Sequence, residues 1–246
     1  RNNRTIMTKS NIVIILAAGK GTRMNSELPK VLHLLKNKPL LSHVIDTSKK
    51  LSPDKIIVVV GYKKELVIDE FKHDNIEFVE QKQLMGTADA IKNCLPALEN
   101  CNGDVLILSG DVPMIQENTL KQFFNHHNKY QALGSLISTS LDDPTGYGRV
   151  IKTETNQLIE IVEHKDASEQ QRAVQEINSG IYIFDSQTLI DKIPLIKNDN
   201  MQKEYYLPDI FNFIDKSQTS IYKTDNHSEI SGVNTLEQLK ELETIA

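Results

Sequence analysis

Apolar residues in the first half of the chain alternate between short continuous runs and stretches with helical spacing. Continuous runs are typical of strands that are buried on both faces. They occupy residues 12–17, 55–60, 76–79 and 105–109. The stretches with helical spacing lie at residues 40–51, 66–71, 87–95 and 119–127. This alternation predicts β-α-β units and therefore a parallel sheet with helices on both faces.

After about residue 132 the pattern changes to strand-like runs that are separated only by turns and one polar stretch. These runs lie at residues 133–139, 148–153, 158–163 and 179–184. They indicate antiparallel or mixed strands added to the sheet, which we expect to form a substrate-binding lobe. Helical spacing returns at residues 205–215 and at 235–243, and the second stretch places three leucines on one stripe, Leu236, Leu239 and Leu242.

The whole pattern predicts the α/β class, as a Rossmann-like, doubly wound sheet that is mixed but mostly parallel and carries an antiparallel substrate-binding lobe. The sequence contains no internal repeat and no Gly/Ser linker, so we expect one domain over residues 11–246. Its predicted parts are a first half at about 11–131, the lobe at about 132–233 and a closing helix at 234–246. Residues 1–10 are polar and are expected to be disordered or left from cloning.

Composition and charge exclude several classes of protein. The 246 residues are 39% hydrophobic and 25% charged, as in an ordinary globular protein. The formal net charge of -5 gives no overall attraction for a polyanion, so nucleic acid is not an expected partner. Because no run reaches the ~20 apolar residues of a membrane span, we expect a cytoplasmic protein that does not bind membranes. Cys94 and Cys101 are interpreted as reduced thiols.

The segment LAAGKGTRMNSELPK, at residues 16–30, leaves the first predicted strand through a glycine-rich loop. Gly19 and Gly21 permit a positive φ and let backbone N–H groups approach a ligand. Lys20, Arg23 and Lys30 add positive charge to the same loop. The spacing matches neither the P-loop nor the dinucleotide-binding glycine motif. The loop suits a polyphosphate, and the alternative is a plain strand-to-helix turn with surface cations.

A second polar cluster, SGDVP at residues 109–113, follows the strand predicted at 105–109. Ligands of doubly wound sheets bind outside the carboxyl ends of the strands, where this cluster would lie. Its Asp111 could hold Mg²⁺, a hard cation that takes one or two protein carboxylates and fills its other positions with phosphates and water. The alternative is that Asp111 simply favours the turn.

The opening motif, LAAGKGTRM followed by LPKVL, resembles the signature of the sugar-nucleotidyltransferase family. Five further segments are similar to the uridylyltransferase (pyrophosphorylase) domain of bacterial N-acetylglucosamine-1-phosphate uridylyltransferases. They are DDPTGYGR at 142–149, IVEHKDA at 161–167, QEINSGIY at 175–182, EYYLPDI at 204–210 and GVN at 232–234. The similarity extends from about residue 11 to residue 242. It implies that the first half binds a nucleotide and that the lobe binds a sugar.

The resemblance implies UDP-N-acetylglucosamine diphosphorylase activity with Mg²⁺ as cofactor. UTP and N-acetylglucosamine 1-phosphate would be converted into UDP-N-acetylglucosamine and pyrophosphate. A sugar phosphate is already ionised near neutral pH, so its attack on the α-phosphorus needs no general base. We therefore interpret the seven histidines as non-catalytic, and no Ser-His-Asp or Cys-His constellation is visible along the chain.

The resemblance also implies a role for each matching residue. We hypothesise that Arg23 binds the β- and γ-phosphates and that Lys30 binds the α-phosphate and the sugar phosphate, which makes these two cations catalytic. The implied Mg²⁺ ligands are Asp111 and Asn234. The implied contacts to uridine and its phosphates are Leu16, Ala17, Ala18, Gly19, Gly21, Gln81, Gly86, Thr87 and Gly110. The implied sugar-binding residues are Gly148, Glu163, Asn178 and Asn234.

Three short departures from the family pattern stand near these positions. Ala88–Ala90 reads ADA where Gly-His-Ala is common, Ser109 replaces Tyr, and Ser179 replaces Thr. They leave the metal ligands in place and fall around the expected base and sugar pockets. The bifunctional relatives also carry an acetyltransferase β-helix domain, which is expected to be absent here.

Two other functions remain open from the sequence. One is a different sugar-1-phosphate nucleotidyltransferase, such as a glucose-1-phosphate uridylyl- or thymidylyltransferase, since the opening loop is shared. The other is a non-catalytic regulatory module that binds a nucleotide sugar.

Overall fold

The protein is described by a computed structural model that covers residues 11–245. The predicted tail at 1–10 lies outside the described residues. The strands are β1 (Ile12–Leu16), β2 (Leu34–Leu35), β3 (Lys38–Pro39), β4 (Lys55–Val60), β5 (Glu77–Glu80), β6 (Asp104–Ser109), β7 (Gly134–Ser140), β8 (Arg149–Lys152), β9 (Leu158–Val162), β10 (Glu176–Asp185) and β11 (Thr219–Lys223).

Helices connect most of these strands. The α-helices are α1 (Leu40–Lys50), α2 (Lys64–Phe71), α3 (Thr87–Leu98), α4 (Glu117–Lys129), α5 (Glu169–Arg172), α6 (Ser186–Lys192), α7 (His227–Ile230) and α8 (Leu236–Ile245). Short 3-10 helices lie at Thr22–Met24, Lys30–Leu32, Ile193–Leu195, Leu207–Phe213 and Lys216–Gln218. Within residues 11–245, every helix is too short or too polar to cross a membrane.

One mixed sheet of nine strands organises the described residues. Its main order is β11-β7-β10-β6-β1-β4-β5, and β8 and β9 extend from β10. The segment β6-β1-β4-β5 is parallel, whereas β10 is antiparallel to both β6 and β7. The predicted fold class is therefore confirmed: a mostly parallel α/β half continues into antiparallel strands. The division into lobes stays a prediction.

Both faces of the sheet are buried, which explains the continuous apolar runs. Along β1, Ile12 and Ile14 pack into a core that includes α3 and α6. The alternate residues Val13 and Ile15 pack into a second core with α1, α2 and α4. Since successive strand residues point to opposite faces, the central strands β1, β4 and β6 are apolar at nearly every position because they serve both cores.

The antiparallel strand β10 contains an irregularity that matters for the site. Asn178 pairs with Ser138 of β7, but the next paired residue, Tyr182, faces Leu136, so the register shifts between them. Gly180 lies in this segment with φ at 79°, a conformation that glycine adopts without strain. The shift is a β-bulge, which re-aims the side chains next to it.

Several elements differ from the sequence prediction. Residues 205–215 form a seven-residue 3-10 helix, Leu207–Phe213, rather than an α-helix, with Pro208 in its first turn. The edge strand β11 was not predicted, because its sequence TSIYK has only two apolar residues, Ile221 and Tyr222, between polar ones. In α8, Leu239 and Leu242 are buried as expected, whereas Leu236 is 39% exposed and does not join the stripe.

Candidate functional site

Two adjoining cavities open where the parallel strands end. The larger has a volume of about 330 Å³ and the smaller about 200 Å³. They share three lining residues, Leu16 at the end of β1, Ser109 at the end of β6 and Thr87 at the start of α3. This is the edge of a doubly wound sheet at which ligands bind.

Most of the predicted nucleotide, phosphate and metal residues meet in the larger cavity. Those that line it are Leu16, Ala17, Ala18, Gly19, Lys30, Gln81, Gly86, Thr87 and Asp111. Sequence reasoning did not assign five others, Val31, Leu84, Ala90, Ser109 and Glu204. Val31, Ser109 and Glu204 lie inside the quoted segments LPKVL, SGDVP and EYYLPDI, so the motifs contained a signal for these three that was not used.

The glycine-rich loop brings Lys30 to the cavity by close packing. Gly21 has φ at 66°, and a Cβ built on it would lie 2.5 Å from the Cβ of Lys30, so no larger residue fits. The loop then forms a 3-10 turn whose Met24 is buried against α8 and the β2–β3 hairpin. Met24 occupies the third glycine position of the dinucleotide motif because it anchors the loop in this small core.

Four of the predicted residues form one polar cluster beside the larger cavity. The Lys30 ammonium pairs with the Asp111 carboxylate and donates to Asn234 Oδ1 at 3.1 Å. Arg23 Nη2 donates to the same Asn234 oxygen at 2.9 Å. Lys20 lies apart from the cluster, with its ammonium 5.4 Å from the centre of the Tyr62 ring.

The segment GVN holds this cluster together from the other end of the chain. The backbone N–H of Val233 donates to the Asp111 carbonyl at 2.8 Å. A Cβ on Gly232 would lie 3.5 Å from the Asp111 carboxylate oxygens, so the glycine leaves room beside them. The Asp111 carboxylate and the Asn234 amide oxygen lie close to each other, since both accept from the Lys30 ammonium.

This donor set fits a cation only in part. No group of three or more His, Cys, Asp or Glu side chains able to hold a metal occurs within residues 11–245. Mg²⁺, however, commonly takes one or two protein oxygens and completes its shell with substrate phosphates and water. Asp111 and Asn234 suit that kind of site and do not suit a metal cage built by the protein alone.

Gly110 lies behind the cavity and does not line it. Its N–H donates to the Leu16 carbonyl at 2.9 Å, and an added Cβ would meet Leu41 at 3.1 Å and Val31 at 3.2 Å. Gly110 thus allows β6 to pack closely against α1 and the Lys30 turn. Its implied nucleotide contact stays a prediction.

The segment around Tyr205 lies directly against Gly86 and Thr87, which explains why these two residue types occur here. Gly86 has φ at 108°, and a Cβ there would lie 2.5 Å from the Tyr205 carbonyl oxygen. The Thr87 hydroxyl accepts a hydrogen bond from the Leu207 N–H at 2.9 Å. The segment EYYLPDI is therefore fixed against the start of α3, which places Glu204 in the larger cavity.

The predicted sugar residues line the smaller cavity, apart from Asn234. A Cβ on Gly148 would lie 3.0 Å from Glu163 Oε1, and the Asn178 N–H donates to the Gly148 carbonyl at 2.9 Å. Asn178 Nδ2 donates to the Tyr182 hydroxyl at 2.6 Å across the bulge of β10. Further lining residues that were not assigned from sequence are Gly146, Tyr147, Ser179, Gly180, Tyr182, Leu207 and Pro208.

Acidic groups dominate the electrostatics of this smaller cavity. Burial, with added repulsion from Asp209, Asp166 and Glu204, raises the pKa of Glu163 to about 7. Burial and the nearby Asp166 raise the pKa of Asp209 to about 6. A protonated carboxyl at Glu163 can both donate and accept hydrogen bonds, which suits hydroxyl and amide groups better than phosphates.

A Ser-His-Asp contact that was not visible along the chain exists in the fold. His127 Nδ1 lies 2.7 Å from Ser135 Oγ, and its Nε2 lies 3.6 Å from Asp104 Oδ1. Ser135 is fully buried and also contacts Ser220 at 2.7 Å, and it lines neither of the two cavities. The group ties α4 to the sheet, and its buried serine hydroxyl is not accessible as a nucleophile.

Comparison with known proteins gives one family. A family profile described as nucleotidyl transferase matches residues 12–227. Three curated relatives are named Bifunctional protein GlmU. They come from Acinetobacter baylyi (46% identical, over 94% of this chain and 50% of the relative), Acaryochloris marina (42%, over 92% and 50%) and Bacillus subtilis (40%, over 94% and 51%). The chain thus spans about half the length of these relatives.

Solved structures agree on the fold. A Bacillus anthracis protein assigned as a glucose-1-phosphate thymidylyltransferase superposes with a TM-score of 0.73 at 19% identity, covering 96% of this chain and 95% of that one. HddC from Yersinia pseudotuberculosis gives a TM-score of 0.69 at 20% identity, covering 95% and 98%. At these identities the likeness concerns the fold alone.

Proposed function

Because the chain belongs to the nucleotidyl transferase family, we propose that it transfers UMP from UTP to N-acetylglucosamine 1-phosphate. The products are UDP-N-acetylglucosamine and pyrophosphate. One observation carries the proposal: a cavity beside a cationic cluster adjoins an acidic cavity, and the two share Leu16, Thr87 and Ser109. A nucleotide and a sugar phosphate could meet at that shared wall.

The choice of uridine and N-acetylglucosamine rests on the resemblance and on the relatives. The segments GYGR, VEHKDA and EINSG, which resemble uridylyltransferase domains, contribute Gly148, Glu163 and Asn178 to the smaller cavity. The relatives at 40–46% identity are all named GlmU, and the match to this chain covers about half of their length. The absence of membrane and nucleic-acid partners and the cytoplasmic location remain predictions.

The two cations divide the phosphates between them. Lys30 lines the larger cavity, so we assign it to the α-phosphate and the incoming sugar phosphate. Arg23 reaches the cluster from the outer side through Asn234, so we assign it to the β- and γ-phosphates and the departing pyrophosphate. Each cation offsets negative charge at the position where that charge gathers during transfer.

The transfer itself requires position rather than a base. A phosphate oxygen of the sugar phosphate forms a bond to the α-phosphorus, and the bond from that phosphorus to the α,β-bridging oxygen breaks. The electron pair leaves with pyrophosphate, and no proton has to move. The main part of the barrier is the repulsion between the sugar phosphate and the triphosphate. Lys30 lowers it by pairing with both anions.

Asp111 and Asn234 are the residues that would hold Mg²⁺. When bound, the cation would neutralise phosphate charge and help to align the triphosphate. In the structure Lys30 pairs with Asp111. The same carboxylate can therefore orient the lysine when it is not bound to a metal ion.

At the sugar end, Glu163, Asn178 and the backbone at Gly148 would read hydroxyl groups and the acetamido group. Asn178 is 8% exposed and already bonded to Tyr182, which fixes its orientation. Glu163, with a pKa near 7, can donate a hydrogen bond in its protonated form.

A substrate panel tests the proposal. Pyrophosphate release is measured for four nucleoside triphosphates, each against the 1-phosphates of glucose, N-acetylglucosamine and N-acetylgalactosamine, with Mg²⁺. We expect the highest kcat/KM for UTP with N-acetylglucosamine 1-phosphate. A preference for dTTP with glucose 1-phosphate would assign a different nucleotidyltransferase, and binding of UDP-sugars without pyrophosphate release would assign a regulatory module.

A further inference from the structure

The side chain of Gln81 is held at the wall of the larger cavity by two hydrogen bonds from one nitrogen. Gln81 follows β5, its backbone N–H donates to the Val60 carbonyl at 2.8 Å, and only 5% of the residue is exposed. Its Nε2 donates to the Gly86 carbonyl at 3.0 Å and to Asp89 Oδ2 at 2.8 Å. Both N–H groups of the amide are therefore engaged by the protein.

These partners fix which end of the amide faces the cavity. A backbone carbonyl and a carboxylate can only accept hydrogen bonds, so the nitrogen must point at Gly86 and Asp89. The amide oxygen is the only group of the side chain that remains for a ligand. Because neither partner can donate, turning the amide over would lose both bonds and place its oxygen against two acceptors.

We propose that Asp89 is a positioning residue for base selection, acting through Gln81. By holding the amide nitrogen, it makes Gln81 present an acceptor to the nucleotide. A base with a ring N–H on its pairing edge, such as uracil or thymine, satisfies that acceptor. Cytosine has a lone pair at the same ring position and does not. This inference rests on the proposed nucleotide-binding function of the cavity.

The position of Asp89 in the fold supports this role. It is the third residue of α3, where the N-terminal end of the helix favours a negative charge. It stands in the ADA segment, in place of the histidine that the resemblance led us to expect. Each nitrogen of a neutral imidazole can be either a donor or an acceptor, depending on the tautomer, whereas a carboxylate can only accept. Asp89 therefore allows only one orientation of the Gln81 amide, with its nitrogen toward the carboxylate.

The test compares three nucleotides with variants at position 89. Asp89→Ala and Asp89→Leu remove the acceptor and leave only the Gly86 carbonyl. We expect the ratio of kcat/KM for UTP to that for CTP to fall about tenfold, the effect of one hydrogen bond. The ratio of UTP to dTTP should not change, because both bases carry the same N–H. Asp89→Asn can again turn an oxygen toward Gln81 and should restore most of the UTP preference.

Matched measurements separate this role from general damage. Asn93→Ala alters an exposed residue one turn further along α3, whose side chain donates to the main-chain carbonyl of Asp89 at 2.7 Å, and it should keep the wild-type ratios. Affinities for UTP, CTP and dTTP from titration calorimetry give the same ratios without turnover. Unchanged UTP-to-CTP ratios in folded Asp89→Ala and Asp89→Leu, or an equal change for dTTP, would overturn the proposal for Asp89. Failure of the wild-type protein to bind or turn over UTP would instead count against the proposed function.

Discussion

The two ends of the site are built from opposite charges. At one end Arg23 donates a hydrogen bond to the neutral amide of Asn234, and Lys30 pairs with the Asp111 carboxylate, which offsets part of the Lys30 charge. At the other end Glu163 is buried among further carboxylates, and its pKa is raised to about 7. The first end holds the two cations that can receive phosphate groups, and the second holds a carboxyl group that keeps its proton up to about pH 7.

This difference determines the direction in which a substrate can bind. A sugar phosphate is anionic at one end and neutral at the other, so only one orientation places its charge near Lys30 and its hydroxyl groups near Glu163. The parallel strands supply the cationic end, and the antiparallel strands with the bulge of β10 supply the acidic end. The mixed sheet therefore places the two environments side by side.

Removing the cation at the phosphate end should have the largest effect. Lys30→Ala deletes a charge that contacts the centre of the cluster, and we expect kcat/KM to fall by roughly 10²–10³. Pyrophosphate release is the measurement, with thermal unfolding to confirm the fold. The matched control is Lys63→Ala, a surface lysine paired with exposed Glu27 at 2.9 Å, which should keep wild-type turnover. Near-normal activity of a folded Lys30→Ala protein would remove Lys30 from the mechanism.

The raised pKa of Glu163 at the acidic end should make the stability of the protein depend on pH. The folded-state pKa of Glu163 is about 7, above its unfolded value of 4.5, so between these values the folded state retains a proton that the unfolded chain has lost. The free energy of unfolding therefore falls as pH rises through this window. The Glu163→Gln variant has no such titration. Its free energy of unfolding should therefore rise by about 2 kcal/mol relative to that of the wild type between pH 4.5 and 8, allowing for partial exposure.

Denaturant unfolding at several pH values measures this difference. Glu99→Gln, at an exposed site beyond α3, provides a control whose stability should follow the wild-type curve. Parallel curves for Glu163→Gln and wild type would show that Glu163 does not carry the raised pKa.

A smaller change at the sugar end should affect one substrate only. Gly148→Ala places a Cβ 3.0 Å from Glu163 Oε1 and should push that carboxyl group aside. We expect the KM for N-acetylglucosamine 1-phosphate to rise about tenfold, as for one lost hydrogen bond, and the KM for UTP to stay unchanged. Steady-state kinetics with each substrate varied in turn provides the measurement. An equal rise for both substrates would mean that the two ends are not independent.

The sequence predicted the parts of the fold and site that depend on local patterns. Continuous apolar runs marked β1, β4 and β6 because both of their faces are buried, and Gly21 and Asp111 stood out because their loops follow such strands. Edge strand β11 was missed because its sequence TSIYK contains too few apolar residues to form a recognisable run. Local signals thus identified the buried strands of the core and the loops that directly follow them.

Features that depend on distant contacts could not be predicted from residue types alone. The bond from Arg23 to Asn234 joins positions 211 residues apart, and Gly86 is required by the backbone of Tyr205. The link from Asp89 to Gln81 and the raised pKa of Glu163 arise from burial and neighbours that only the fold supplies. The resemblance located many of these residues, but the fold gives the physical reason for their positions.

The most direct test of the proposed reaction follows phosphorus atoms by ³¹P NMR. The protein is mixed with UTP, N-acetylglucosamine 1-phosphate and Mg²⁺, and all phosphorus signals are followed over time. We predict that the UTP and sugar-phosphate signals decrease together, while those of UDP-N-acetylglucosamine and pyrophosphate grow in equal amounts. Release of inorganic phosphate or UMP without the nucleotide sugar, or no reaction despite bound UTP, would contradict nucleotidyl transfer between the two cavities.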